Sequence, residues 1–349
     1  LNALRCFRRR QILRIGIRDL FLKLPVRHVA AELADLAETI LDQACHDAYA
    51  RLAAQEPAPP PEDSLCLLAF GKCGGRELNY SSDIDLVGIY RERPEAPGSS
   101  GDQAFHGRVL EALRADLMGH TDEGFVYRLD FRLRPYGRAG TLAVSTRALQ
   151  RYYASAAALW EVQALLKARP IAGSRALGDG LLAELRPILR RPRDGARIAA
   201  SVRHLRDRAG RHRAEAAGTD IKNGPGGIRD VEFLVQALQL AHAHREPGVL
   251  AAGTGEAIEA LVAGGQLGPE HGRRLQDNYA FLRRVEHFLQ LLDDRQTHTL
   301  PGRDADRDAL ARRVLGPRHH GADLMAAVHE VTGSTAELFA SGLHDLEKP

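Results

Sequence analysis

Lysine and aromatic residues are scarce in this chain of 349 residues. Only five of its 48 basic residues are lysine, aromatic residues make up 5% of the total, and the formal net charge is +3. Proteins that hold nucleic-acid strands use a strongly basic surface and aromatic rings on which bases stack. The composition therefore argues against nucleic-acid binding and against an RNA-modifying enzyme.

Cysteine is also rare, and long apolar runs are missing. Cys6, Cys45, Cys66 and Cys73 form no CxxC pair and have no histidine at zinc-ligand spacing, which predicts neither a zinc site nor disulfides and suits a reducing cytosol. No apolar run approaches the ~20 residues that a membrane span requires, and no signal peptide is recognisable. We expect a cytoplasmic protein without membrane contact. Because the chain begins with Leu1, we also expect it to be a segment of a longer protein.

Apolar periodicity divides the chain into three predicted regions. Residues 1–55 have helical spacing, and the Pro-rich stretch 55–64 (QEPAPPPEDS) separates them from the second region. Residues 60–150 alternate predicted strands with helices, whereas 151–349 is almost entirely of helical type. We therefore expect an α+β protein with an N-terminal helical segment (1–55), a mixed-sheet catalytic domain (60–150) and an all-helical bundle domain (151–349).

Within the mixed-sheet region, the order of elements is strand, helix, strand, helix, strand. Strands are predicted at 65–70, 83–90 and 126–135, helices at 73–79 and 104–119, and a loop at 93–103. The last strand has the sequence VYRLDFRLRP, in which apolar and charged residues alternate. Further helices are predicted at 157–170, 196–216, 231–244, 273–292 and 322–345.

Two carboxylates lie close together in the stretch GKCGGRELNYSSDIDLVGIY (71–90). Asp83 and Asp85 are two residues apart on a predicted strand, so both side chains point to the same face. Carboxylates at that separation repel each other unless a cation lies between them, and Mg²⁺ prefers such oxygen ligands. Asp130 adds a third carboxylate on another predicted strand. Three carboxylates arranged in this way can hold two metal ions for displacement at phosphorus.

Small and basic residues complete the predicted site. Gly74 and Gly75 come after a strand, where backbone N–H groups can approach phosphate oxygens, and Ser82 can add a hydroxyl. Arg132 and Arg134 can offset charge on the transferring group. A lone D-x-D or Gly-Gly is common in ordinary turns, and no Walker A motif is present. The combination, in this order, indicates a nucleotidyltransferase-like site without naming a substrate.

The same stretch resembles the signature of the bacterial glutamine synthetase adenylyltransferase/adenylyl-removing enzymes. The resemblance continues through GFVYRLDFRLRPYGRAG (124–140), WEVQALLKAR (160–169), IKNGPGGIRDVEFLVQ (221–236) and FLRRVEHFLQLLDDRQTHTLP (281–301). It covers most of the chain after residue 60, and it fits the N-terminal, adenylyl-removing half of that family better than the other half. It implies a polymerase-beta-like nucleotidyltransferase fold joined to a helical domain shared with PII uridylyltransferases.

The resemblance also implies a reaction and its partners. Phosphate would attack an AMP esterified to a tyrosine of glutamine synthetase, releasing ADP, with two Mg²⁺ ions at Asp83, Asp85 and Asp130. The implied phosphate-contacting residues are Gly74, Gly75 and Ser82, with Lys72 nearby. Implied partners are glutamine synthetase, ADP or ATP, phosphate and the PII signal protein, in the regulation of nitrogen metabolism.

Other interpretations remain open at this point. The same site could transfer AMP from ATP to the tyrosine, since residue chemistry does not set the direction. A non-catalytic module that binds glutamine synthetase or PII is a third possibility. In the loop 221–230, Lys222 and Arg229 are either part of a tight turn that begins a helix or cations that face the nucleotide.

Overall fold

The computed structural model describes residues 2–56, 59–93, 100–211, 219–293 and 297–348. The chain forms two compact units. The first comprises Leu1–Leu78 and Ser82–Ile188, and the second comprises Asn79–Ser81 and Leu189–Pro349. The fold is α+β, as predicted: the sheet lies before residue 190, and the described residues after it are helical.

The first unit contains a mixed sheet of five strands. These are β1 (Leu65–Ala69), β2 (Ile84–Tyr90), β3 (Leu129–Asp130), β4 (Ala143–Ser145) and β5 (Arg169–Gly173). β1 lies between β2 and β5 and is antiparallel to both. β3 and β4 pair in parallel with different parts of β2, β3 near its start and β4 near its end. β1 is buried along its whole length, as its uninterrupted apolar sequence predicts.

Helices cover this sheet. They are α1 (Asn2–Leu22), α2 (Val26–Ala53), α3 (Gly71–Gly74), α4 (Ser100–Met118), α5 (Thr146–Ser155), α6 (Leu159–Leu165) and α7 (Arg175–Leu189). α2 packs on β5 and α4. Leu33, Leu36 and Ile40 line its buried face, at the spacing of three to four residues that indicates an amphipathic helix. The predicted N-terminal helical segment is therefore part of the first unit.

β5 corrects the prediction that residues 151–349 are all helical. Residues 157–170 have helical spacing, but the helix ends at Leu165 and the chain then pairs with β1. This pairing draws the chain as far as Ile188 into the first unit, so the division falls well after the predicted boundary at 150. A strand at the edge of a sheet is specified by its neighbour as much as by its own sequence.

Two other elements differ from the predictions. The strand expected at 126–135 has only two residues in regular pairing, although Tyr127, Leu129 and Phe131 are buried as the alternation predicts. The helix expected at 73–79 lies earlier, at Gly71–Gly74. It ends there because the backbone of Arg76 is left-handed, with φ of +55°.

The second unit is helical in its described residues. Its helices are α8 (Gly195–Arg211), α9 (Ile228–His242), α10 (Thr254–Ala263), α11 (Pro269–Asp293), α12 (Asp304–Val314) and α13 (Gly321–Glu347). α13 packs against α8, α9, α11 and α12. α11 is buried on nearly all sides between 282 and 290, so its polar residues need partners inside the protein.

Some predictions fall on residues outside the described parts of the chain. These are most of the loop at 93–103, the end of the helix at 196–216, two residues of the Pro-rich stretch and the start of RQTHTLP. Across the described ranges, no helix is both long and apolar enough to cross a membrane.

Candidate active site

The pairing of β2 with β3 brings two of the predicted carboxylates together. Asp85 is the register partner of Asp130, and Ile84 is the partner of Leu129. Ile84 and Leu129 are buried, whereas both aspartates are half-buried, so the carboxylates share the face opposite the core. Asp83 lies two residues before Asp85 and is also half-buried. All three predicted metal ligands thus lie on one face of two neighbouring strands, which we call the carboxylate face.

Arginines neutralise two of these carboxylates. Nε of Arg128 lies 2.6 Å from Oδ1 of Asp83. Arg132 donates to Asp130 from Nε, at 2.7 Å to Oδ2, and its backbone N–H donates to Oδ1 at 2.8 Å. Burial would raise the pKa of Asp130, but these hydrogen bonds and the charge of Arg132 outweigh it, and the pKa falls below its usual value.

All three carboxylates raise the pKa of Arg132. Its hydrogen bonds to Asp130 and the charge of Asp130 raise its pKa most, and the charges of Asp85 and Asp83 raise it further. The guanidinium is 63% exposed, so it can move toward a ligand at small cost. The face therefore combines three carboxylates with two arginines, of which Arg132 is the more exposed.

The donor chemistry of the face fits Mg²⁺, but the side-chain arrangement does not yet form a closed site. Among the residues described, no group of three His, Cys, Asp or Glu side chains is arranged to hold a metal ion. Asp83 and Asp130 are directed at Arg128 and Arg132 instead. An ion shared by the three carboxylates would compete with these arginines for Asp83 and Asp130. The two-ion magnesium site stays a prediction.

Residues Gly71–Gly75, between β1 and β2, form a turn that we call the glycine turn. Its hydrogen bonds differ from those expected from the sequence. The N–H groups of Gly74 and Gly75 donate to the carbonyls of Phe70 and Gly71, each at 3.0 Å, so they are engaged within the turn. Gly71 is the glycine nearest the carboxylates, because a Cβ on it would lie 2.6 Å from Oδ2 of Asp85. Its φ of +53° also favours glycine. The predicted phosphate contact by Gly74 and Gly75 through their N–H groups is thus not supported.

The remaining predicted residues lie on either side of the carboxylates along the chain. Lys72 lies half-buried in α3, and Ser82 is buried directly before Asp83. Arg134 donates to the carbonyls of Phe131, Arg138 and Gly140, at 2.8, 3.3 and 2.9 Å. Its guanidinium thereby closes the loop after β3. The geometry favours this structural role for Arg134 over the predicted phosphate contact.

Sequence reasoning missed two residues of the site. Arg128 shares the charged face of VYRLDFRLRP with Asp130, and this alternation was a usable signal for its pairing with Asp83. Gly71 is the first glycine after β1, where the chain must reverse. Its approach to Asp85 depends on the path of the whole turn, which no short pattern reveals.

The loop 221–230 forms a tight turn that begins α9. Oδ1 of Asp220 accepts from the N–H groups of Lys222 and Asn223, at 2.9 and 3.0 Å, and the carbonyl of Lys222 accepts from Arg229 at 2.9 Å. The Arg229 guanidinium lies 5.9 Å from the ring centroid of Phe233. These contacts show that residues 221–230 form a turn stabilised by its own hydrogen bonds, as one of the two interpretations predicts. The nucleotide contact by Lys222 and Arg229 remains a prediction.

Comparison with protein families gives two adjoining matches. Residues 1–184 match the family described as glutamate-ammonia ligase adenylyltransferase. Residues 196–342 match the family described as GlnD PII-uridylyltransferase. The two matches meet close to Ile188, where the compact units divide.

Similar curated proteins carry one name. The bifunctional glutamine synthetase adenylyltransferase/adenylyl-removing enzyme of Thioalkalivibrio sulfidiphilus is 41% identical over 322 residues, or 89% of this chain and 33% of the relative. Its namesake from Streptomyces coelicolor is 38% identical over 320 residues, or 89% and 31%. That of Xanthomonas campestris pv. campestris is 40% identical over 323 residues, or 88% and 34%. The chain spans about a third of the length of these relatives.

Proposed function

Because the chain belongs to the glutamate-ammonia ligase adenylyltransferase family, we propose that it is the adenylyl-removing segment of such an enzyme. Phosphate attacks the phosphorus of an AMP esterified to a tyrosine of glutamine synthetase. The bond from phosphorus to the phenolic oxygen breaks, and ADP and free tyrosine are the products. The pairing of Asp85 with Asp130, with Asp83 on the same face, is the observation that supports displacement at phosphorus. The resemblance of the sequence motifs to the adenylyl-removing half of the family supports the direction of the reaction.

The chemistry suits such a face. The tyrosine leaves as a phenolate, whose solution pKa is about 10, so the site needs charge stabilisation more than a strong acid. Mg²⁺, held by Asp83, Asp85 and Asp130, would polarise the phosphoryl oxygens and stabilise the leaving oxygen. Arg132 is exposed beside the carboxylates and can bind an equatorial phosphoryl oxygen through its guanidinium.

A second candidate is adenylyl transfer from ATP to the same tyrosine. The relatives are named for both activities, and the chain spans only a third of them, so either activity is compatible with the match. In-line displacement at the same phosphorus uses the same carboxylates in both reactions. A third candidate is a non-catalytic module that binds glutamine synthetase or PII.

We also propose partners and a compartment. Glutamine synthetase is the proposed protein substrate, and the match of residues 196–342 to the PII-uridylyltransferase family supports an interaction with PII. The four cysteines are free in the structure, which suits the reducing cytoplasm.

Mass spectrometry of glutamine synthetase separates these candidates. The 349-residue chain is incubated with adenylylated glutamine synthetase, Mg²⁺ and phosphate, and separately with unmodified glutamine synthetase, Mg²⁺ and ATP. Loss of AMP with formation of ADP in the first reaction supports the proposal. Gain of AMP in the second reaction alone supports transfer, and no change in either reaction, with binding detected by calorimetry, supports the non-catalytic module.

A further inference from the structure

The glycine turn is held from outside by an arginine of β5. Arg169 is the register partner of Ala69, the last residue of β1, so its side chain reaches the adjoining turn. Nε of Arg169 donates to the carbonyl of Gly74 and Nη2 donates to that of Cys73, each at 3.3 Å. One planar guanidinium thus fixes two consecutive carbonyls of the turn.

Glu38 of α2 holds this guanidinium in place. Oε2 of Glu38 accepts from Nη1 of Arg169, and Oε1 lies 2.7 Å from Nη1 of Arg175. The Glu38 side chain is only 17% exposed. Burial would raise its pKa, but the hydrogen bonds and charges of Arg169 and Arg175 lower it below the usual value, so the carboxylate stays charged.

Glu38 is one of three acidic residues on a single face of α2. The spacing of 35, 38 and 42 places them on that face. Asp35 pairs with Arg76, directly after the turn, at 2.7 Å. Oδ1 of Asp42 accepts from the N–H of Gly173, at the end of β5, at 2.9 Å. α2 therefore braces both the turn and the strand that supports it.

Lys167 contacts the same turn from a second direction. A Cβ on Gly74 would lie 1.9 Å from the carbonyl oxygen of Lys167, so only glycine fits there. Nζ of Lys167 lies 2.7 Å from Oε2 of Glu77, and these side chains are only 7% and 15% exposed. Arg169 thus holds the carbonyl of Gly74, and the backbone of Lys167 packs directly against Gly74.

The glycine turn and the residue before it contact Asp85 of the carboxylate face. The N–H of Phe70 donates to the carbonyl of Asp85 at 2.9 Å, and Gly71 lies directly against the Asp85 carboxylate. We propose that Arg169, held by Glu38, is a positioning residue that sets the height of the Gly71–Gly75 turn above Asp85, and thereby the affinity for the phosphate-bearing substrate. This inference rests on the proposed function, because it takes the carboxylate face to bind phosphate groups.

The test compares three variants in the full 349-residue chain. Arg169→Lys keeps the charge beside Glu38 but loses the fork that reaches two carbonyls. Glu38→Gln keeps the shape of the anchor and loses its charge. Arg175→Lys is the matched control, because Arg175 pairs with the same Glu38 and donates to Pro170 and Ile171 in place of the turn.

Two quantities are measured on each variant. Hydrogen exchange of the Gly74 and Gly75 amides reports the rigidity of the turn, since both donate within it. Steady-state kinetics give KM for phosphate or ATP separately from kcat. Arg169→Lys and Glu38→Gln are expected to raise exchange and KM about tenfold with kcat nearly unchanged, and Arg175→Lys to change each less than about twofold.

The outcomes separate a positioning role from a merely structural one. Faster exchange without a change in KM would assign Arg169 to stability alone and overturn the proposal. Equal effects of Arg169→Lys and Arg175→Lys would do the same. If Arg169→Lys does not fold, Glu38→Gln decides. If the wild type shows no turnover in either direction, the proposed function fails, and the Kd of ATP from calorimetry replaces KM.

Discussion

The carboxylate face of the first unit and a buried polar cluster of the second unit use the same kinds of side chain in opposite ways. On the carboxylate face, Arg128 and Arg132 are 36% and 63% exposed. In the cluster, Nδ2 of Asn79 donates to Glu286 and Nη2 of Arg283 donates to Asn79, each at 2.7 Å. The side chains of Arg283 and Glu286 are only 5% and 0% exposed.

Asp230 of the helical unit is also buried, at 3% exposed, whereas the side chain of its partner Arg206 is 33% exposed. Arg206 of α8 holds Asp230 through two contacts of 2.9 Å, and the N–H of Gly226 donates to Asp230 at 2.7 Å. Gly226 has φ of +70°, and a Cβ on it would lie 1.8 Å from the carbonyl oxygen of Thr332 on α13. Burial raises the pKa of Asp230 although Gly226 and Arg206 oppose this. The conspicuous GGIRD sequence therefore has a packing explanation.

The difference lies in what it costs to break each pair. A half-exposed arginine that leaves its carboxylate returns to water, so the pair is worth at most about 1 kcal/mol and a ligand can replace it. A buried pair that loses one member leaves an unpaired charge without water, which costs several kcal/mol. The arginines of the carboxylate face can therefore be replaced by a ligand, whereas the buried cluster of Asn79, Arg283 and Glu286 stabilises the folded second unit.

The largest expected effect is on catalysis. If the proposed function is correct, Asp85→Asn or Asp130→Asn should lower turnover on the order of 10³-fold, because the proposal makes each carboxylate a metal ligand at the reacting phosphorus. Thermal unfolding should barely change, since both side chains are half-buried at the surface of the sheet. Asp122→Asn, an exposed carboxylate outside the site, is the control. Turnover retained in both variants would remove these residues from the site.

The next effect is on stability. Glu286→Ala should lower the free energy of unfolding by about 3–5 kcal/mol, because Arg283 and Asn79 lose a buried partner. Denaturant titration followed by circular dichroism measures it. A loss below about 1 kcal/mol would place the cluster in the same class as the exposed pairs and end the contrast.

A buried histidine of the first unit extends the contrast to pH. Burial lowers the pKa of His106 to about 4 from 6.5, with Arg93 lowering it further and Asp102 opposing. Between pH 6.5 and 4, His106 is therefore protonated in the unfolded chain but neutral in the folded chain. As a result, the free energy of unfolding falls as pH drops from 6.5 toward 4, by about 3 kcal/mol at most. In His106→Gln, the free energy of unfolding should depend less on pH between pH 6.5 and 4, as measured by denaturant titration at several pH values. An unchanged slope would mean that other groups cause the loss.

The smallest effect is expected at an exposed pair. Arg128→Gln should change the free energy of unfolding by less than about 1 kcal/mol, because Arg128 and Asp83 are each about one-third exposed. Denaturant titration beside Glu286→Ala gives the direct comparison. A loss as large as that of Glu286→Ala would make the arginines of the carboxylate face structural.

Much of the fold was predictable from local pattern. β1 and β2 are confirmed close to their predicted ends, because short apolar runs bounded by glycine and by charged residues are strand signals. The third strand is shorter than its alternation predicts, since Arg134 draws the loop after it back onto the carbonyls of Phe131 and Gly140. β5 was missed because its five residues are too few to give a clear strand pattern, and its pairing with β1 defines it as a strand.

Sequence alone determined that Asp83 and Asp85 share a face, because the pleat of a strand is a local property of successive residues. Only the tertiary structure decided that Asp130 is the register partner of Asp85, and that Arg128 faces Asp83. It also decided that the N–H groups of Gly74 and Gly75 are engaged inside the turn. The physical reason is that a hydrogen-bond partner distant along the chain is chosen by how strands pair and helices pack, and that choice is made by the whole molecule at once.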